Sequence, residues 1–166
     1  GCVASVHSIQ RETDWFDNPI ETTGQYSGVV ISCTRGEILV LVPDEAVDTA
    51  DSIEVSFSGG TILPGTVKQK DSVADMALVS VNAAELEDRQ YERIKELPLG
   101  NSYGVRQGDL VVAIGSPAGV TGSSGYGAIS YVVRSTKAVD GSTRIFYTDT
   151  AADSQAEPSL LIRMEN

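Results

Sequence analysis

Short apolar stretches rich in β-branched residues recur at hairpin spacing, each cut off by glycine, proline or polar residues. Val3–Ile9, Ser27–Cys33, Ile38–Val42, Ile53–Phe57, Thr61–Lys70 and Met76–Val81 all have this character. Short strands at this spacing predict an all-β sandwich or barrel. Gly36 and Gly59–Gly60 sit between them, where hairpin turns need a positive φ. The polar stretch 11–25, with Pro19 and Gly24, reads as a loop, and its Trp15 and Phe16 read as a packing anchor.

Residues 83–96 break the pattern. Ala83, Ala84, Leu86, Arg89, Gln90, Tyr91 and Ile94 favour a short helical or irregular connector. It divides the chain into a first β-rich half, residues 1–82, and a second, residues 97–166. Strand-like runs in the second half are Leu110–Gly115, Ala128–Val133, Thr143–Thr148 and Ser159–Arg163. Gly119–Gly127, glycine-rich with Ser123 and Ser124, reads as a mobile loop. No Gly-Lys-Ser/Thr text follows it, so a phosphate-binding role has little support.

Composition narrows the partners. The 166 residues carry 23 Asp and Glu against 12 Lys and Arg, a net charge of −11. Such a surface repels phosphate backbones and anionic lipid headgroups, which argues against nucleic acid. No apolar run approaches the roughly 18 residues that span a bilayer, and no signal peptide is evident. Gly1 is not preceded by an initiator methionine, which suggests a trimmed start. Cys2 and Cys33 form no CxxC pair, so a zinc site is not expected. They are either one disulfide or two free thiols. No cofactor is expected.

The second half carries the most specific text. Leu97-Pro98-Leu99-Gly100-Asn101-Ser102 is followed by Val105-Arg106-Gln107-Gly108-Asp109 and then by Val112-Ala113-Ile114-Gly115-Ser116-Pro117-Ala118-Gly119. The order and spacing resemble the "LPLGdS…lrvGD.vvAIGnPfG" stretch of HtrA-type serine proteases. Gly127-Ala128-Ile129-Ser130 is similar to that family's "GivS", and Thr148-Asp149-Thr150-Ala151 to its "TDAA". More loosely, Ser27–Ser32 resembles its "GSGviis" strand and Asp71–Leu78 its "D…tDlAll". The resemblance runs from about Val3 to the end of the chain. It implies a trypsin-like double antiparallel β-barrel with a cleft between the barrels.

A serine protease needs a hydroxyl nucleophile, an imidazole that takes its proton and a carboxylate that orients the imidazole. By the resemblance, Asp75 stands at the aspartate position. The histidine segment reads Val42-Pro43-Asp44-Glu45-Ala46-Val47, which puts Glu45 in the histidine's place. The one histidine, His7, lies in the first predicted strand. The serine segment reads Ala152-Asp153-Ser154-Gln155-Ala156-Glu157-Pro158-Ser159, which puts Glu157 on the serine. Gln155, Pro158 and Ser159 replace glycines of the turn whose N–H groups build the oxyanion hole. Losing one triad member costs about 10⁴ to 10⁶ in rate. The expectation is therefore a non-catalytic homologue.

Glu45, Asp75 and Glu157 would converge where the triad stood. Three such carboxylates are either solvated side chains left by neutral drift or need a shared proton, a bound cation such as Ca²⁺, or a Lys or Arg reaching in. The cleft would still hold an extended peptide or protein segment by strand addition. Ser154, Gln155, Ser159, Ile129 and Ser130 are its further candidate residues. Two other readings stay open: an active endopeptidase using Ser154 or Ser159, and a structural part of an envelope assembly. The family usually continues past the serine with more strands, so the second barrel is expected to lack its last strands in this chain. The resemblance also implies an extracytoplasmic setting, with a membrane anchor and a C-terminal PDZ-type domain possible outside this chain.

Overall fold

The computed structural model describes residues 1–115, 123–138, 141–150 and 160–164. In the first half, β1 (Val3–Thr13), β2 (Pro19–Cys33), β3 (Glu37–Pro43), β4 (Ser52–Phe57), β5 (Thr61–Asp71) and β6 (Met76–Asn82) form a closed antiparallel barrel in the order β1-β2-β3-β6-β5-β4. Closure comes from β1, whose Ser5–Ile9 pairs with Ser52–Ser56 of β4. The alternation seen in the sequence is the inside–outside alternation of these strands. Val6, Ile38, Val40, Val42, Val55, Phe57, Ala77, Val79 and Val81 point inward and are buried.

The interior is filled so closely that two strand positions exclude a side chain. A Cβ on Gly28 would sit 2.6 Å from Val40 Cγ1 and 3.0 Å from Val42 Cγ1. One on Gly65 would sit 2.6 Å from Val79 Cγ1. Gly59 and Gly60 have the positive φ expected of their turn, at 106° and 84°. Gly36 does not. Its turn is closed by Thr34, whose N–H donates to the Glu37 carbonyl and whose Oγ1 accepts from the Glu37 N–H.

The stretch 11–25 is not a loop. β1 runs on to Thr13 and β2 starts at Pro19, so the two strands form a hairpin arm paired from Val3↔Val29 out to Thr13↔Pro19. β4 pairs with β1 only as far as Ile9. Beyond that point most of the arm meets solvent, which is why its sequence is polar and hides the strand signal. Its turn is held by Asp14, whose carboxylate accepts from the N–H groups of Phe16 and Asn18. The Asn18 side-chain amide also donates to Asp14 at 3.0 Å, and this bond foremost, with the backbone ones, holds the Asp14 carboxyl below its ordinary pKa. Trp15 and Phe16 are not a packing anchor: at the arm's tip they are 95% and 82% exposed.

The connector holds a one-turn helix, α2 (Asp88–Tyr91), started by a Glu87/Gln90 capping box. Ile94 packs into the barrel core, and the Leu97 N–H donates to the Val30 carbonyl. The second half is a four-stranded antiparallel sheet, ordered β10 (Leu160–Arg163), β7 (Leu110–Gly115), β8 (Ser123–Ala138), β9 (Gly141–Thr148). It does not close among the described residues. Ser123–Gly127, read as loop, opens β8 instead, while residues 119–122 of that stretch lie outside the described residues. Cys2 and Cys33 are separate free thiols.

Two outcomes in urea unfolding follow. Gly28→Ala is expected to destabilise by about 1–3 kcal/mol, because Val40 and Val42 have no room to give way. Trp15→Ser is expected to stay within about 0.5 kcal/mol of the parent. A larger loss at Trp15 would mean that the arm's tip packs on the domain.

Candidate functional site

The site is assembled at one end of the closed barrel. β3 ends at Pro43 and leads directly into α1 (Glu45–Asp48). Ala46 and Val47 are buried against the barrel, which leaves Glu45 and Asp48 facing solvent. The β5–β6 turn reaches the same end. There Asp71 Oδ1 accepts from the N–H groups of Val73 and Ala74, and Asp75 takes the left-handed conformation at φ 52°. Aspartate tolerates this conformation better than most residues. The Asp44 N–H donates to the Asp75 carbonyl at 3.1 Å and ties the two segments together.

Two of the three acids singled out in the sequence, Glu45 and Asp75, therefore line one cavity of about 580 Å³. Its walls are Ser27, Val29, Leu41, Val42, Pro43, Asp44, Glu45, Asp48, Ala74, Asp75 and Met76. A second recess of about 350 Å³ shares Leu41, Ala74 and Met76 with it and adds Ile31, Leu78 and Leu99. The cleft is thus acidic at one end and mostly apolar at the other, where Gln69 and Asp71 also line the recess.

Sequence reasoning missed Asp44, Asp48 and Lys70. Asp44 precedes α1 but does not cap it: its own backbone is helical and its carboxylate turns away. Asp44 Oδ1 is buried and makes an ion pair with Lys70 Nζ at 3.2 Å, without the alignment of a hydrogen bond. The same ammonium hydrogen-bonds Asp48. A lysine thus supplies the compensating charge, though to these acids rather than to Glu45 or Asp75. A trace of this was legible: Asp44, Glu45 and Asp48 crowd three acids into one short helical turn. The register that brings Lys70 to them belongs to the barrel.

His7 stands elsewhere. It is half-buried in the barrel wall, opposite Gln25 of β2 and Glu54 of β4, and is not among the cavity's lining residues. Ile129 is 1% exposed, while its neighbour Ser130 is exposed. Glu157, Ser154, Gln155 and Ser159 lie outside the described residues. Among the described residues no trio of His, Cys, Asp or Glu is grouped to hold a metal.

The second-half segments have clear local roles. Asn101 accepts the Tyr103 N–H at 2.9 Å and starts a 3₁₀ turn. Gly108 turns with φ 93°, and its N–H donates to the Ile129 carbonyl. Asp149 Oδ1 accepts the Ala128 N–H at 2.6 Å, bringing the segments around Ala128 and Asp149 together. A Cβ on Gly127 would strike both Asp149 and Thr150.

A closed six-stranded antiparallel barrel, followed by a second antiparallel sheet and carrying an acid-lined cleft at its end, is the architecture of the trypsin-like class. The chain belongs to the trypsin-like peptidase domain family, whose model matches residues 26–158. Within it the chain is of the HtrA type. It is 30% identical over 131 residues to the putative serine protease HhoB of Synechocystis sp., covering 77% of this chain and 29% of that protein. It is 30% identical over 125 residues to the periplasmic serine endoprotease DegP of Salmonella typhimurium, covering 75% of this chain and 24% of that protein. The chain thus spans less than a third of either relative. The solved structure of the HtrA-type protease AlgW with decapeptide superposes with a TM-score of 0.73 at 21% identity, covering 98% of this chain and 52% of that one. At that identity the likeness concerns the fold.

Both carboxylate partners raise the pKa of Lys70, the Asp48 hydrogen bond foremost. A raised lysine pKa adds stability that is complete below the ordinary value of 10.5 and fades as pH climbs through the folded value. The melting temperature of Lys70→Met is accordingly expected to lie below the parent's by a constant gap from about pH 7 to pH 9, and the gap should shrink above about pH 10.5. A gap that grew with alkaline pH would contradict the pairing.

Proposed function

We propose that this domain is a non-catalytic HtrA-type module, acting outside the cytoplasm, that binds extended peptide or protein segments in its cleft. The observation that carries the proposal is the position of His7. The chain's one imidazole lies in the barrel wall and not with Asp75. A trypsin-like triad needs an imidazole in hydrogen-bond reach of both its serine and its carboxylate. In this reading Glu45 and Glu157 stand where the family places histidine and serine, and Asp75 is retained. The stretches 1–82 and 97–166 are the two halves that flank the cleft.

Peptide binding is supported by the cleft and by a neighbour. AlgW is seen with a decapeptide and with a tripeptide. Segments that add as a strand are held by main-chain hydrogen bonds, which need no triad. Here Asp44, Glu45, Asp48 and Asp75 line the cavity, and Leu41, Met76, Leu78 and Leu99 line the recess beside it. The preferred segment therefore carries a basic side chain next to an apolar one. The extracytoplasmic setting is supported by relatives described as periplasmic, from Salmonella typhimurium and Haemophilus influenzae.

Two measurements test this. Incubation with a fluorophosphonate and with unfolded casein is expected to give neither covalent labelling nor cleavage. Labelling at Ser154 or Ser159 would overturn the non-catalytic reading. A fluorescent extended peptide carrying Arg beside Leu is expected to bind, and more weakly as salt rises. Glu45→Gln and Asp75→Asn should each weaken it about two- to fivefold, as exposed ion pairs do. Binding that ignores both substitutions and salt would place the peptide elsewhere.

A further inference from the structure

Lys70 reaches the acidic end of the cleft from β5, two strands away from β3. It pairs with Ala77 of β6, and Ala77 in turn pairs with Val42 of β3. Directly opposed residues share a face, so Lys70 sets out on the face of Ala77 and Val42, both buried. Its ammonium ends between Asp44 and Asp48, at the two ends of the turn that presents Glu45. The Asp44 side chain is only 16% exposed, whereas that of Lys70 is 40% exposed. Glu45 and Asp75 line the same cavity and, among the described residues, make no ion pair.

We infer that Lys70 is a tethered counter-cation that sets the cleft's selectivity: it occupies Asp44 and Asp48 and leaves Glu45 and Asp75 to an incoming basic side chain. The inference rests on the peptide-binding reading above. Its consequence is opposite in sign to that of a merely structural lysine. Removing a structural lysine loosens the site and weakens binding. Removing a resident cation makes the cleft more negative and strengthens binding of a cationic peptide.

The test compares the parent, Lys70→Met and Lys70→Arg against the Arg-Leu peptide and the same peptide with Gln for Arg. Lys70→Met is expected to tighten the cationic peptide about threefold, to leave the neutral one unchanged, and Lys70→Arg to restore the parent's affinity. Weaker or unchanged binding of the cationic peptide by Lys70→Met would overturn the inference. A second measurement uses no peptide. In Lys70→Ala, n-propylammonium should raise the melting temperature more than sodium at equal ionic strength, with no such difference in the parent. If the parent binds neither peptide, the peptide-binding reading fails, and this rescue decides the role of Lys70 alone: rescue supports a counter-cation, and its absence overturns it.

Discussion

The pairing of β3 with β6 positions the cleft, and the pairing of β1 with β4 closes the barrel that carries it. Pro43 at the end of β3 stands directly opposite Met76, the first residue of β6, so the end of β3 and the β5–β6 turn meet. In the barrel both are fixed at one end through the β3–β6 and β5–β6 registers, and the Asp44–Asp75 backbone hydrogen bond joins them. The packing that enforces the closure leaves no room even for a Cβ at Gly28 or Gly65. The acids of the site thus sit on a rigid rim rather than on loose loops, though each is at a chain turn.

The rim explains how so acidic a chain tolerates carboxylates in close company. Asp44, Glu45, Asp48 and Asp75 share one cavity, and Lys70 lies against the most buried of them. Elsewhere the surface is handled pairwise: Lys68 with Glu37, Arg35 with Asp88, Arg11 with Glu21. These exposed pairs add little to stability. The Lys70 contact differs because one partner is mostly withdrawn from water, where an uncompensated charge is costly.

Much of this was legible in the sequence, for physical reasons. Strands β3, β4 and β6 face the core on one side, so their alternation is clean and their positions readable. Leu97–Gly119 carried the family likeness, and where it is described its role is turn chemistry: Asn101 starting a 3₁₀ turn, Gly108 at positive φ, Asp109 accepting the Arg106 N–H. Such positions tolerate few residue types, which makes them recognisable. The hairpin arm was hidden because nothing covers most of it. Residues exposed on both faces of a ribbon show no alternation, so 11–25 looked like a loop and Trp15 and Phe16 like an anchor. Lys70 was invisible for another reason. Its partners lie 22 and 26 residues away, and only the two sheet registers bring them together.

In the proposed reading the cleft binds a peptide and, with His7 in the barrel wall, lacks an imidazole to drive hydrolysis. The most direct test of that reading is a crystal structure of this chain grown with the Arg-Leu peptide, together with the mass of the peptide recovered from dissolved crystals. The account predicts an intact peptide, extended along the cleft, with its guanidinium at Glu45 and Asp75 and its leucine in the recess lined by Leu41, Met76 and Leu99. A cleaved peptide, an ester on any serine, or a peptide bound away from Glu45 and Asp75 would contradict it.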